Sequence, residues 1–170
     1  MTAPPDIHAA ALRLLNYRFR SVVEMERKLR DRGFPAEEIA SEIERLTAER
    51  WLDDLRFARE YALSKLRARK GRRRIEMELK NFGVAAPVIR KALAEAAEEE
   101  DEPTHLEDLC RKKANQIEAR HGAAHLHEDR GRKKLVAYLL SQGYDPSAVY
   151  EAVDRETRTR IEDRGARDEE

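Results

Sequence analysis

The chain has 170 residues and 34 Lys and Arg against 34 Asp and Glu, with 40% charged and 6% aromatic residues, too polar a mix for one large core. The single cysteine, Cys110, excludes an internal disulfide and fits a reducing cytoplasm, where the chain is expected; no apolar run approaches the roughly 18 residues of a membrane span, and MTAPPDIHAA lacks the regions of a signal peptide. The zero net charge hides an asymmetry: residues 1–94 carry 21 cations against 14 acids, and residues 95–170 carry 13 against 20.

Residues 1–6 read as a frayed tail containing two prolines. A helix follows from Ile7 to Arg18, with Ala11, Leu12, Leu14 and Leu15 as its apolar face. Ser21 and Glu24 form an S-x-x-E capping box opening a second helix, whose stripe is Val22, Met25 and Leu29. Gly33 stops it, and Pro35 lies in the first turn of a third helix bearing Ile39, Ile43 and Leu46, which ends near Trp51. Asp53 or Asp54 then caps a helix carrying Phe57, Tyr61 and Leu66. Gly71 separates it from a short helix with Ile75 and Leu79, Gly83 closes that one, and a further helix carries Ile89 and Leu93. Glu98–Glu102 and Pro103 read as a linker. Thr104 and Glu107 offer another capping box, ahead of Leu106, Leu109, Cys110 and Ile117 at helical spacing. Residues 121–131 read as a loop. A helix with Leu135, Val136, Leu139 and Leu140 ends at Gly143, and Asp145-Pro146 opens the last helix, with Val149 and Val153. From 157 onward the charges are patternless, as in a fraying tail.

These segments repeat. KLRDRGF, ELKNFGV and YLLSQGY share one frame, with Leu29, Leu79 and Leu139 four residues before Gly33, Gly83 and Gly143. A glycine just past a helix end takes the left-handed conformation, and the next residue then packs back on the helix. That rule pairs Leu29 with Phe34, Leu79 with Val84 and Leu139 with Tyr144. The expected fold is all-α: three tandem three-helix, helix-turn-helix-like repeats in an elongated, curved array, spanning 7–52, 53–102 and 103–156, with a charged tail at 157–170.

The chemistry is concentrated between the fourth and fifth helices. Lys65, Arg67, Arg69, Lys70, Arg72, Arg73 and Arg74 crowd together with no acid among them, and Arg56 and Arg59 precede them on the helix. Such a corner suits phosphates or an acidic protein face, where a scattered charge run would only solvate a helix end. His121, His125 and His127 with Glu128 and Asp129 suggest a metal, but Gly122 breaks the helix that paired ligands need, so no metal or other cofactor is expected. Cys110 lies on an apolar stripe as a buried thiol. Trp51, Phe57 and Tyr61 could stack on bases, yet their spacing favours core packing. No phosphate loop, H-E-x-x-H or G-x-S-x-G is present, which argues against an enzyme.

LDDLRFAREY followed by KGRRRIEMELKNFGV resembles the signature of the bacterial regulatory RecX family. ALRLL with SVVEMERKLRDRGF resembles its first module, and KKLVAYLLSQGYDPSAVYEAV its third, in the family's order. The resemblance implies tandem three-helix modules and control of the RecA recombinase. A protein of this kind binds the RecA–DNA filament in its groove and restrains ATP hydrolysis, strand exchange and filament growth. The cations from Arg56 to Arg74 are then the filament-binding residues, with single- or double-stranded DNA as a further partner; independently, repeat units that stack on each other favour a monomer. The alternatives are a helix-turn-helix operator reader or a repeat scaffold for proteins. Helices opening PAEEIASE, AAPVIRKA and DPSAVYEA begin with acidic or small and apolar residues where an operator reader is rich in base-reading ones, against the first. A scaffold has no need of the cationic corner.

Overall fold

A computed structural model describes residues 6–122, 126 and 128–168, with side chains as far as 162. Among the described residues the regular structure is nine α-helices: α1 (Ile7–Tyr17), α2 (Val22–Arg30), α3 (Ala36–Ala48), α4 (Asp54–Arg67), α5 (Arg72–Asn81), α6 (Ala86–Glu99), α7 (Glu102–His121), α8 (Asp129–Ser141) and α9 (Pro146–Asp168). The chain divides into two compact units. The first runs to Ala62 and includes Glu76–Ala96; the second holds Leu63–Ile75 and all residues from Ala97. The division cuts through α4 and α5, because the corner between them packs with the C-terminal helices.

In the first unit α1, α2 and α3 enclose a core of Ala11, Leu14, Met25, Leu29, Ile39 and Leu46. Ser21 caps α2, its hydroxyl oxygen accepting from the Glu24 N–H at 3.1 Å. The expected capping box is only half made. The Glu24 carboxylate, 3% exposed, turns instead to Arg18 and Arg20, since a buried charge needs partnered cations more than a second cap needs an acceptor. Asp53 caps α4 by accepting from the Arg56 N–H at 2.9 Å, whereas Asp54 accepts from the Val22 N–H, also at 2.9 Å, and so serves α2.

The glycine turns form as the frame requires. Gly33, Gly83 and Gly143 have φ of +85°, +79° and +90°. Phe34 and Val84 donate back to Leu29 and Leu79 carbonyls at 3.4 and 3.2 Å. α3 ends the same way without a glycine: Arg50 sits at φ +59°, and Trp51 donates to the Leu46 carbonyl at 2.8 Å. Leu52 takes the core position there, which leaves Trp51 54% exposed and corrects its expected burial. Phe57 is buried and Tyr61 half-buried, both edge-on to Phe82 at 5.5 and 5.3 Å.

The second unit holds α7, α8 and α9 around Leu106, Cys110, Ile117, Leu135, Leu139 and Val149. Three boundaries differ from expectation. Asp101, not Thr104, caps α7, with Pro103 tolerated in the first turn and the Thr104 hydroxyl donating to Asp101 at 2.5 Å. The linker therefore shrinks to Glu100 and Asp101. α8 starts at Asp129, inside the expected loop; His125 and His127 lie outside the described residues. Residues 157–168 are helical rather than frayed. α9 continues through Asp168, held where Thr157 donates to the Val153 carbonyl at 2.9 Å and where Arg160 reaches Asn115 on α7 at 2.6 Å.

Candidate functional site

The cationic corner is a turn built by α4 and α5. Arg69, at φ +55°, ends α4 in the left-handed conformation, its N–H donating to the Leu66 carbonyl at 2.8 Å and that of Lys70 to Lys65 at 3.0 Å. Gly71 then leads into α5. Arg67, Arg69, Arg72 and Arg73 are exposed, and Lys65, Lys70 and Arg74 half-buried.

The corner has no acid in its own sequence, but it is not bare. Within the second unit Arg67 meets Glu100 at 2.6 Å, Arg69 meets Asp108 at 3.6 Å and Arg73 meets Asp145 at 3.5 Å. The Lys70 ammonium donates to Gln142 Oε1 at 2.7 Å, and Lys65 and Arg74 are likewise engaged. The backbone is tied down as well. The N–H groups of Gly71 and Arg73 donate to the carbonyls of Gln142 and Gly143, at 2.9 and 3.1 Å, and that of Arg72 donates to Glu102 Oε1 at 2.8 Å. The corner is therefore first a joint between residues 63–75 and α7–α9. The pairs of Arg69 and Arg73 are exposed on both sides and weak, while Glu100 beside Arg67 is half-buried; the guanidinium heads of Arg67 and Arg73, both 62% exposed, can exchange partners at little cost.

Arg56 and Arg59 belong to the first unit. The Arg56 guanidinium lies 4.6 Å from the Phe19 ring, and Arg59 pairs with Glu60 at 3.2 Å and Glu95 at 3.9 Å. The nine cations thus form two groups, each in its own surroundings.

The first unit contains a joint of the same design, which the sequence reading missed. Ser21, buried, donates from its hydroxyl to the Phe82 carbonyl at 2.5 Å, just before Gly83. Gly71 donates to the residue just before Gly143. In both joints the next N–H along, Val22 or Arg72, is accepted by the first residue of a helix, Asp54 of α4 or Glu102 of α7. The signal was an acid directly after the capping aspartate: Asp53-Asp54 and Asp101-Glu102, against Asp6-Ile7 at the start of α1. Burial pushes both joint carboxylates, Asp54 and Glu102, above the usual carboxylate range, opposed by the N–H each accepts. Cys110, 1% exposed, has its thiol pushed up to about 12 by burial and is inert at neutral pH.

Comparison with known proteins agrees with this architecture. Residues 8–46 match the family model of the first three-helix domain of RecX, and residues 53–93 that of the second. The regulatory protein RecX of Mycolicibacterium vanbaalenii is 34% identical over 149 residues, covering 87% of this chain and 80% of its own. That of Thermotoga petrophila is 32% identical over 146 residues, covering 85% and 81%. The crystal structure of RecX from Lactobacillus salivarius superposes with a TM-score of 0.73 at 21% identity, over 89% of this chain and 94% of that one, and so shares the fold. With about a third of its residues identical over most of both chains, and the family's two domain models falling on α1–α3 and α4–α6, the chain belongs to the RecX family of regulatory proteins.

Proposed function

We propose that the chain binds the RecA nucleoprotein filament in the bacterial cytoplasm and inhibits ATP hydrolysis, strand exchange and filament growth, acting as a monomer and without catalysing a reaction itself. Identity of about one third with regulatory RecX proteins, over most of the chain, carries this reading. The cations support it in outline. Arg67, Arg69 and Arg73 keep exposed heads in weak pairs, and a polyanion or an acidic face of the filament can displace Glu100, Asp108 and Asp145. Among the described residues no helix is long and apolar enough to cross a membrane.

The test is RecA-driven ATP hydrolysis on single-stranded DNA, with this protein added at ratios well below one per RecA. Inhibition at such ratios is expected, since one chain bound along a filament restrains several subunits. No inhibition even at equal concentrations refutes the reading.

A further inference from the structure

In the second unit a groove runs between α7 and α9. Further along α7 the chain's own Arg160 lies across it, beside a second open cavity of about 320 Å³. That side chain is only 16% exposed, and its guanidinium bridges the helices, bonding Asn115 at 2.6 Å and Glu118 on α7 and Glu156 on α9 at 2.8 Å. Arg155 likewise crosses from α9 to Glu107. At the N-terminal end of α7 the groove is open, with a volume of about 260 Å³. Leu106, Ala148, Ala152 and the Tyr144 ring line it together with the acids Glu102, Glu107, Asp145 and Glu151 and one cation, Arg155. Tyr144 is 2% exposed, and its hydroxyl has no hydrogen-bond partner.

The geometry points to this open end as the seat of an arginine side chain from a basic segment of a partner protein. The small side chains of Ala148 and Ala152 leave room for an aliphatic stem on an apolar floor, the way long cationic side chains bury their methylenes. A planar fork of donors can bridge carboxylates on two helices, as Arg160 does further along; a lysine ammonium bridges them less well. Glu107 already holds Arg155, and Glu102 already accepts from the Arg72 N–H, but each carboxylate has acceptor sites to spare. Four carboxylates against the single cation Arg155 disfavour phosphate as the occupant, although two of them, Glu102 and Asp145, are shared with the cationic corner.

The test uses the intact chain and hexa-arginine as the probe, followed by NMR of the methyl groups, with hexa-lysine alongside. Shifts are expected at Leu106, Ala148 and Ala152, with hexa-arginine bound at least threefold more tightly than hexa-lysine. Glu151→Lys, at an exposed rim position, and Ala148→Leu, which fills the floor, should each weaken binding at least fivefold. Glu38→Lys on α3, an acid reversal away from the groove, should change it less than twofold. Thermal melting shows whether each variant is folded, and Glu151→Lys alone decides the outcome if Ala148→Leu is not. Shifts elsewhere, equal binding of the two peptides, or undiminished binding by folded Glu151→Lys overturns the assignment. RecA takes no part in this experiment, so its outcome is independent of the filament reading.

Discussion

Gly33, Gly83 and Gly143 occupy the same position in the repeat, yet substitution should separate them. An added Cβ at Gly33 meets nothing within 4 Å, so Gly33→Ala carries only the left-handed penalty, about 1 kcal/mol. At Gly83 the Cβ would lie 2.6 Å from the Cβ of Val23, which no rotamer change can move, so relief there needs a small shift at the exposed start of α2. At Gly143 it would lie 2.6 Å from the Arg74 backbone nitrogen, and a backbone cannot turn aside. Urea unfolding should rank the losses Gly33 < Gly83 < Gly143, the last exceeding 2 kcal/mol or so. Equal losses would show that the joints add nothing. The converse applies at Arg50, which holds φ +59° without being glycine. Arg50→Gly should raise stability by about 0.5 kcal/mol, the relieved strain being partly offset by a freer unfolded chain; a lower melting temperature would contradict this.

At the scale of elements, the two joints are where one helix start meets another turn. Gly71 permits the second, because a Cβ there would overlap the Gly143 carbonyl. Gly71→Ala should therefore lower amide protection in α8 by hydrogen exchange while α1–α3 stay protected; unchanged exchange in α8 would mean that the turns approach for no energetic reason. In the first joint, Asp54 has its proton affinity raised by burial. The folded state then holds a proton that the unfolded state releases, so stability falls as pH rises through the window just above the ordinary aspartate value of about 4. Asp54→Asn keeps an oxygen for the Val22 N–H and removes the titration. Relative to this variant, the wild type should lose stability as pH rises through that window and then level off. A parallel pH profile for the two would show that Asp54 ionises there as freely as in water.

At the scale of the whole molecule, the corner's double role decides how its function is tested. Charge reversal at Arg69 or Arg73 would set an acid against Asp108 or Asp145 and disturb the joint. Neutralisation is cleaner. The triple variant Arg67→Gln, Arg69→Gln, Arg73→Gln keeps every backbone bond of the corner and removes pairs whose arginine ends are exposed, so its melting temperature should move little. Its inhibition of RecA ATPase should drop several-fold, and the dependence of inhibition on salt should flatten. A folded triple variant that inhibits like the wild type would place the contact elsewhere, with Arg56 beside Phe19 as the next group to test.

Much of this protein is written in short stretches of sequence. The glycine turns close through hydrogen bonds between residues five apart, Phe34 to Leu29 and Val84 to Leu79, so their chemistry is complete within a heptapeptide. The apolar stripes and the caps at Ser21, Asp53 and Asp145 are local in the same sense, and the ordered set of three units was enough to point to the family. Errors came where a partner is distant along the chain. Local pattern could not tell that Leu52 rather than Trp51 would face the core. It ended α9 at the last apolar periodicity, although Arg160 is held by residues of α7. Above all it showed seven cations without an acid, whereas Glu100, Asp108 and Asp145 approach them from 33 to 72 positions downstream. Hydrogen-bonded turns are specified by neighbouring residues, but charge pairing and groove formation depend on which helices pack together, and only the tertiary structure decided that.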